Sequence, residues 1–278
     1  MKLAKFSDFA GVFLLVLFIA LVVGLSADHP LVFLNLPGIL IVLGGTLTAM
    51  LMSFPPKEVI AAIKQSRVLT EPLNRDFSKE TKQILHFATL WFRNQAALID
   101  RDLERLDNPF LKKGLQMVRD REPADDVMAH LNWRISQERA KQTAVINLYR
   151  AMANYAPAFG MVGSLVGLVN MLHTIGTGDL SAVSSDMGIA LVTTFYGLLL
   201  ANLVFKPVAS KLEQRRHLSI IQLTIMAEGI TLIQQQRTPS AIRDTLMAFL
   251  MEQEQPAEAL NKASSKNNSK PLMSKLSI

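Results

Sequence analysis

Four long runs of apolar residues, at roughly 9–27, 31–53, 152–175 and 186–207, alternate with polar stretches along the 278-residue chain. A helix needs about 20 apolar residues to cross the hydrocarbon core, so all four are long enough. The pattern predicts an all-α, polytopic membrane protein with four transmembrane helices and a large helical cytoplasmic segment. Segment 57–150 is polar and reads as helical, with breaks at Pro72, Asn108–Pro109 and Pro123. "EPADDVMAHL" marks a helix start, because Asp125 and Asp126 are favourable near the positive end of a helix dipole. From there to Leu172 the only interior proline is Pro157, which predicts one long helix running out of the cytoplasm and across the membrane. A second long helix is expected from about Asp186 past Pro207 to Gln236, then a short amphipathic helix behind Pro239. The tail from Pro256 is rich in Ser, Asn and Lys and reads as disordered. The expected divisions are transmembrane helices 1 and 2 (1–54), a cytoplasmic helical domain (55–150), transmembrane helices 3 and 4 (151–208), a cytoplasmic helical extension (209–255) and the tail (256–278).

Charge fixes the orientation. No Lys or Arg lies between Lys5 and Lys57, or between Arg150 and Lys206. The connectors "SADHP" and "HTIGTGDLSAVSSD" carry Asp28, Asp179 and Asp186 but no Lys or Arg. By the positive-inside rule they face outward, and both termini and the 57–150 segment face the cytoplasm. "MKLAKF" followed by an apolar run resembles a secretory signal, but the run is long and "GLSAD" places Leu25 where a cleavage site needs a small residue. An uncleaved first membrane helix is therefore expected. The chain has no cysteine, so it forms no disulfides. Its net charge of +6 is what cytoplasmic faces of a membrane protein carry, and nucleic-acid binding is not expected.

The third apolar run, "NYAPAFGMVGSLVGLVNML", holds a proline, three glycines and a serine, all poor helix formers in water. On a helical wheel Ala156, Pro157, Gly160, Gly163, Ser164 and Gly167 share one stripe about 100° wide. Ala190, Thr193, Thr194, Gly197 and Ala201 share another. Such stripes serve close helix packing, the role expected of Gly160, Gly163, Gly167 and Gly197, or they line a narrow wet pathway. Both readings stand at this point. No Asp, Glu, Lys, Arg or His lies well inside any of the four runs. An ion pathway normally needs an intramembrane ionisable group, so a conducting chain of this kind needs a partner's carboxylate. There is no P-loop lysine, G-x-S-x-G elbow or H-E-x-x-H, and the five histidines are scattered. Neither an enzyme nor a bound cofactor or metal is expected.

"YAPAFGMVGSLVGLVNML" followed by "MGIALVTTFYGLLLANLVFKPVASKLEQRR" resembles the flagellar motor stator proteins of the MotA/PomA family. "FLKKGLQMVRD", "NLPGILIVLGGTLTAMLMSFP" and "EGITLIQQQRTPSAIRDTLMAFL" extend the likeness to about Leu250. The resemblance implies that Pro157 and Pro207 couple ion passage to conformational change, and that Ser164, Thr193 and Thr194 stand along the ion path. Hydroxyls there favour Na+ over H+ as the transported cation, whereas Asn154 stands where some sodium-driven members have Asp. It further implies rotor contact through Arg93, Asp100, Asp102 and Glu104, to a FliG-like switch protein. The implied assembly is a pentamer around a MotB/PomB-like single-span subunit, which supplies the essential Asp, in the bacterial inner membrane. On this expectation the glycines form a smooth wall against which the partner helix turns. The alternative is an ExbB/TolQ-type proton-channel energiser of outer-membrane processes.

Overall fold

The computed structural model describes residues 35–66, 77–176 and 178–249, with Gly24 and Phe33. Apart from Gly24, the first apolar run lies outside the described residues, as do the break at Pro72 and the tail from Pro256. In chain order the helices are α1 (Leu36–Ser53), α2 (Pro56–Ser66), α3 (Ser78–Phe92), α4 (Ala96–Glu104), α5 (Pro109–Arg119), α6 (Ala124–Ile175) and α7 (Leu180–Leu199). A π-helical segment, Leu200–Phe205, leads into α8 (Lys206–Gln234), and α9 covers 239–249. No strand occurs among the described residues.

Local chemistry sets the boundaries. Asn35 caps α1, its Oδ1 accepting from the Gly38 amide at 2.9 Å. Asn108 caps α5, accepting from the amides of Phe110 and Leu111, with Pro109 at the first helical position. Three helix ends have no glycine to mark them. Asn94, Arg121 and Gln236 take left-handed φ values of 55°, 58° and 55°. At each, the next amide bonds five residues back: Gln95 to Leu90, Glu122 to Met117 and Arg237 to Leu232. These are the Schellman bonds that close α3, α5 and α8.

The second hairpin differs from its expected boundary. Its returning helix begins at Leu180 rather than near Asp186, because Asp179 Oδ1 accepts from the amides of Ser181 and Ala182. Asp186 therefore sits inside the helix, where its carboxylate accepts from Thr174 Oγ1 at 2.9 Å.

The chain divides into two compact units, one of residues 1–74 and 138–218, the other of 75–137 and 219–278. Three helical stretches are long and apolar enough to cross a membrane among the described residues: Leu36–Ser53, Ala124–Ile175 and Leu180–Gln234. In the first unit, Leu36, Leu40, Leu43, Leu47 and Leu51 form an exposed stripe down α1, suited to a hydrocarbon environment. The opposite face of α1 packs inward. A side chain at Gly45 would overlap the Phe159 ring, and one at Gly38 would meet Thr193 and Tyr196. The Tyr196 hydroxyl donates to the Phe33 carbonyl and accepts from the Asn35 amide, so α7 also holds the start of α1. Val59 and Ala62 bury α2 in the same apolar cluster as Tyr149, whose hydroxyl donates to the Ala62 carbonyl. The second unit is a small helical core built on Ile84, Phe87, Leu103, Leu111, Leu115, Leu131, Ile225 and Ile230. There α9 is docked by Ile242 and Leu246, one turn apart and both fully buried.

Candidate ion-path site

The two stripes of small residues face each other within one chain. A Cβ at Gly160 would lie 3.0 Å from the Thr193 carbonyl, and one at Gly163 would lie 2.7 Å from the Thr193 side chain. At Gly167 it would lie 2.8 Å from the Ala190 amide nitrogen, and at Gly197 2.7 Å from the Ala156 carbonyl. Van der Waals contact begins near 3.5 Å, so only hydrogen fits at these positions. The backbones of α6 and α7 are in direct contact, as small residues permit in lipid. The glycine face is covered by the chain's own returning helix, so the smooth wall expected to meet a partner helix is not made of these glycines.

Close approach brings Ser164 and Thr194 together. Ser164 Oγ lies 2.5 Å from Thr194 Oγ1, 2.5 Å from the Ala190 carbonyl and 3.2 Å from the Gly160 carbonyl. Each hydroxyl has one proton. The consistent arrangement has Ser164 donating to Ala190 and Thr194 donating to Ser164. Both protons are then occupied, while lone pairs on Thr194 Oγ1 remain open to a cation. Both residues are half-buried. Thr193 does not join them. It is fully buried between Gly38 and Gly163, and its hydroxyl returns to its own helix at the Ala190 carbonyl, 3.0 Å away. Sequence alone does not separate the neighbours Thr193 and Thr194, because the difference depends on where α1 packs.

The prolines act on the same two helices. Pro157 lies inside α6 and has no amide hydrogen, so the Ala153 carbonyl lacks its helical donor. Gly197 lies against the Pro157 Cα and the Ala156 carbonyl. In the returning helix the Lys206 amide bonds to the Ala201 carbonyl, five residues back, at the end of the π segment. The Asn202 carbonyl thereby loses its regular helical donor, and the next amide position is Pro207, which has no hydrogen to give. Pro207 itself is exposed, as is Asn154. The π segment carries no pattern visible in sequence beyond the proline that follows it.

The four cytoplasmic charges separate into two kinds. Asp100 pairs with Arg119 at 3.3 Å, and Asp102 accepts from His86 at 2.8 Å and Arg101 at 3.1 Å. The His86 hydrogen bond, followed by that of Arg101, holds the Asp102 carboxyl below the usual carboxylate range. Arg93 and Glu104 are exposed and form no ion pair among the described residues. Arg93 is the C-cap of α3 and not part of a helix face.

These features define a class: a polytopic helical membrane protein whose paired spans meet at hydroxyls, with His173 and Asp186 only toward the outer end. Residues 102–224 match the MotA/TolQ/ExbB proton channel family. Chemotaxis protein PomA of Vibrio alginolyticus is 32% identical over 255 residues, covering 91% of this chain and 96% of the relative. Motility protein A of Aquifex aeolicus is 31% identical over 243 residues, covering 86% and 92%. The flagellar MotAB stator complex of Bacillus subtilis contains a chain similar in structure, with a TM-score of 0.76 and 25% identity, covering 90% of this chain and 98% of that one. A chain of C. jejuni MotAB shares the fold, with a TM-score of 0.80 at 21% identity and coverage of 88% and 95%. The chain belongs to the MotA family of flagellar motor stator proteins, which are ion-channel components and not enzymes.

Proposed function

We propose that this stator subunit couples sodium influx to torque, with Ser164 and Thr194 contributing oxygens along the path. The observation that carries the reading is the Ser164–Thr194 pair, set in spans whose His173 and Asp186 lie toward the outer end and which hold no Asp, Glu, Lys, Arg or His beside the pair. A hydroxyl pair whose protons are committed to protein acceptors favours a dehydrating cation over a proton relay. The missing carboxylate comes from a MotB/PomB-like single-span subunit. The similarity to chains of MotAB complexes supports such a partner in a homo-oligomer. A pentamer is the assembly we infer, in the inner membrane with both termini cytoplasmic, as the confinement of Lys and Arg supports.

Arg93 and Glu104 are the charges we assign to direct contact with a FliG-like rotor protein, because both are exposed and uncommitted to ion pairs among the described residues. Asp100 and Asp102 support that surface from within the chain. The ExbB/TolQ-type alternative has less support, since the similar proteins named above are motility and chemotaxis proteins. Swimming speed measured against sodium concentration, with and without a protonophore, tests the coupling ion. Sodium-dependent speed that resists the protonophore supports the proposal. Sodium-independent speed that collapses with the protonophore overturns the ion and leaves the stator assignment.

A further inference from the structure

Three polar ties join α6 to the returning helix at three levels. Thr174 bonds Asp186 at the outer end, and Ser164 bonds Thr194 in the middle of the span. At the inner end Arg150 Nη2 donates to Glu213 Oε2 at 2.7 Å, while Arg216 Nη2 reaches Glu213 Oε1 at 3.4 Å. Arg216 Nη1 also donates to Thr143 Oγ1 at 3.0 Å. The inner tie therefore crosses between the helices twice, at points about two turns apart along α6 and one turn apart along α8. A lone exposed ion pair would contribute little. Here each carboxylate oxygen has its own arginine and the second arginine returns to α6, so the register of the two helices is fixed as well as their proximity.

Between the middle and inner ties lies the stretch that has lost backbone hydrogen bonds. It contains Pro157, which gives the Ala153 carbonyl no helical donor, and the π segment, after which Pro207 has no amide hydrogen for the Asn202 carbonyl. The two defects are side by side, because Gly197 packs directly on Pro157 and the π segment begins just beyond it. Helices tied on both sides of such a stretch can accommodate a displacement only by bending within it. We propose that Glu213 is a positioning residue for torque generation: by holding Arg150 and Arg216 it keeps the inner ends of α6 and α8 in register. A displacement begun at Ser164 and Thr194 then bends the pair at Pro157 and Leu200–Phe205 instead of sliding one helix past the other. This inference rests on the stator reading.

The test uses Glu213→Gln in the full chain with its partner subunit. The variant is expected at normal membrane levels and normal recruitment, with an unchanged sodium concentration for half-maximal speed. It should lose torque at high load, where slippage between helices is most costly. Glu213→Asp, which keeps a carboxylate between the two arginines, should retain high-load torque. Wild-type torque in Glu213→Gln, an equal loss in Glu213→Asp, or a shifted sodium dependence would each overturn the proposal.

A second measurement does not depend on motility. The chain has no cysteine, so nitroxide labels can be placed by Asn147→Cys and Gln214→Cys, both exposed positions beside the inner tie. In bilayers, with labelled chains diluted by unlabelled ones, the distance distribution should be narrow. It should broaden with Glu213→Gln and stay narrow with Glu213→Asp. An unchanged distribution in Glu213→Gln overturns the tie. If the stator reading is wrong, the distances still respond, but the unaltered chain drives no motor.

Discussion

Ser164 and Thr194 stand on opposite helices of one hairpin with their oxygens 2.5 Å apart. Gly160, Gly163 and Gly167 make that distance possible by letting the two backbones touch. If the pair helps replace the hydration shell of a passing sodium ion, Ser164→Ala removes one oxygen and leaves the packing almost unchanged. Assembly should be intact, and the sodium concentration for half-maximal swimming speed should rise. An unchanged sodium dependence would remove Ser164 from the path.

The glycine contacts give a sharper test of packing. Gly167→Ala places a methyl 2.8 Å from backbone atoms of Ala190, which cannot turn aside as a side chain can. Overpacking of this kind costs about 1–3 kcal/mol. The purified complex should melt at a lower temperature, and the Ser164–Thr194 contact should open with it. Gly44→Ala is the control, because nothing lies within 4 Å of its added methyl. Equal melting temperatures for the two variants would mean that the helices do not meet as described.

Much of this site was legible because lipid imposes strict rules. Spans must be apolar and helices that touch must be small-faced, so the stripes around Gly160 and Gly197 and the long helix through Pro157 could be read from spacing. What escaped depends on contacts between distant residues. That Thr193 is buried while Thr194 meets Ser164 depends on Gly38 of α1. That α3 ends at Phe92, with Arg93 as its C-cap, depends on Asn94 adopting a left-handed conformation without being glycine. The inner tie of Arg150, Glu213 and Arg216 joins residues on two helices whose register only packing decides. The returning helix starts at Leu180 and not near Asp186, because Asp179 is the residue whose carboxylate reaches the free amides.

Arg93→Asp should impair torque or stator recruitment without lowering membrane levels, because an attractive contact with the rotor would become repulsive. An acidic-to-basic change on the rotor protein should restore some motility. Torque measured on single motors decides the matter, and normal torque in Arg93→Asp would leave Arg93 as a solvated charge. By contrast, Asp102→Asn should act first on the stability of its own unit, since one of its two acceptor oxygens becomes a donor and Arg101 loses its counter-charge.

The Asp102 carboxyl also gives a pH expectation. Its folded-state pKa lies below the ordinary value, chiefly because His86 hydrogen-bonds to it and secondarily because Arg101 does. The stability it contributes is therefore present above the ordinary carboxylate range and lost as pH falls through the depressed value. His86→Ala removes the largest cause, so the Asp102 carboxyl should titrate at a higher pH. Carbon-detected NMR of the carboxyl during an acid titration measures this directly. An unmoved titration would show that His86 does not set the Asp102 pKa.

Pro157→Ala returns an amide hydrogen to the Ala153 carbonyl and removes the ring from the helix interior. The span should become straighter and locally more stable. If Pro157 were a tolerated defect, motility would survive the change. Its position argues otherwise, because it lies against Gly197, just before the π segment that precedes Pro207, and between two polar ties. Repairing one of two adjacent weak points stiffens the stretch in which the helix pair must bend. The variant should therefore assemble normally and produce little or no torque. Overproduced in wild-type cells, it should also slow them, since it still occupies the partner subunit and the site at the rotor. Swimming assays at matched expression read both effects, and full motility of Pro157→Ala would remove the bend from the mechanism.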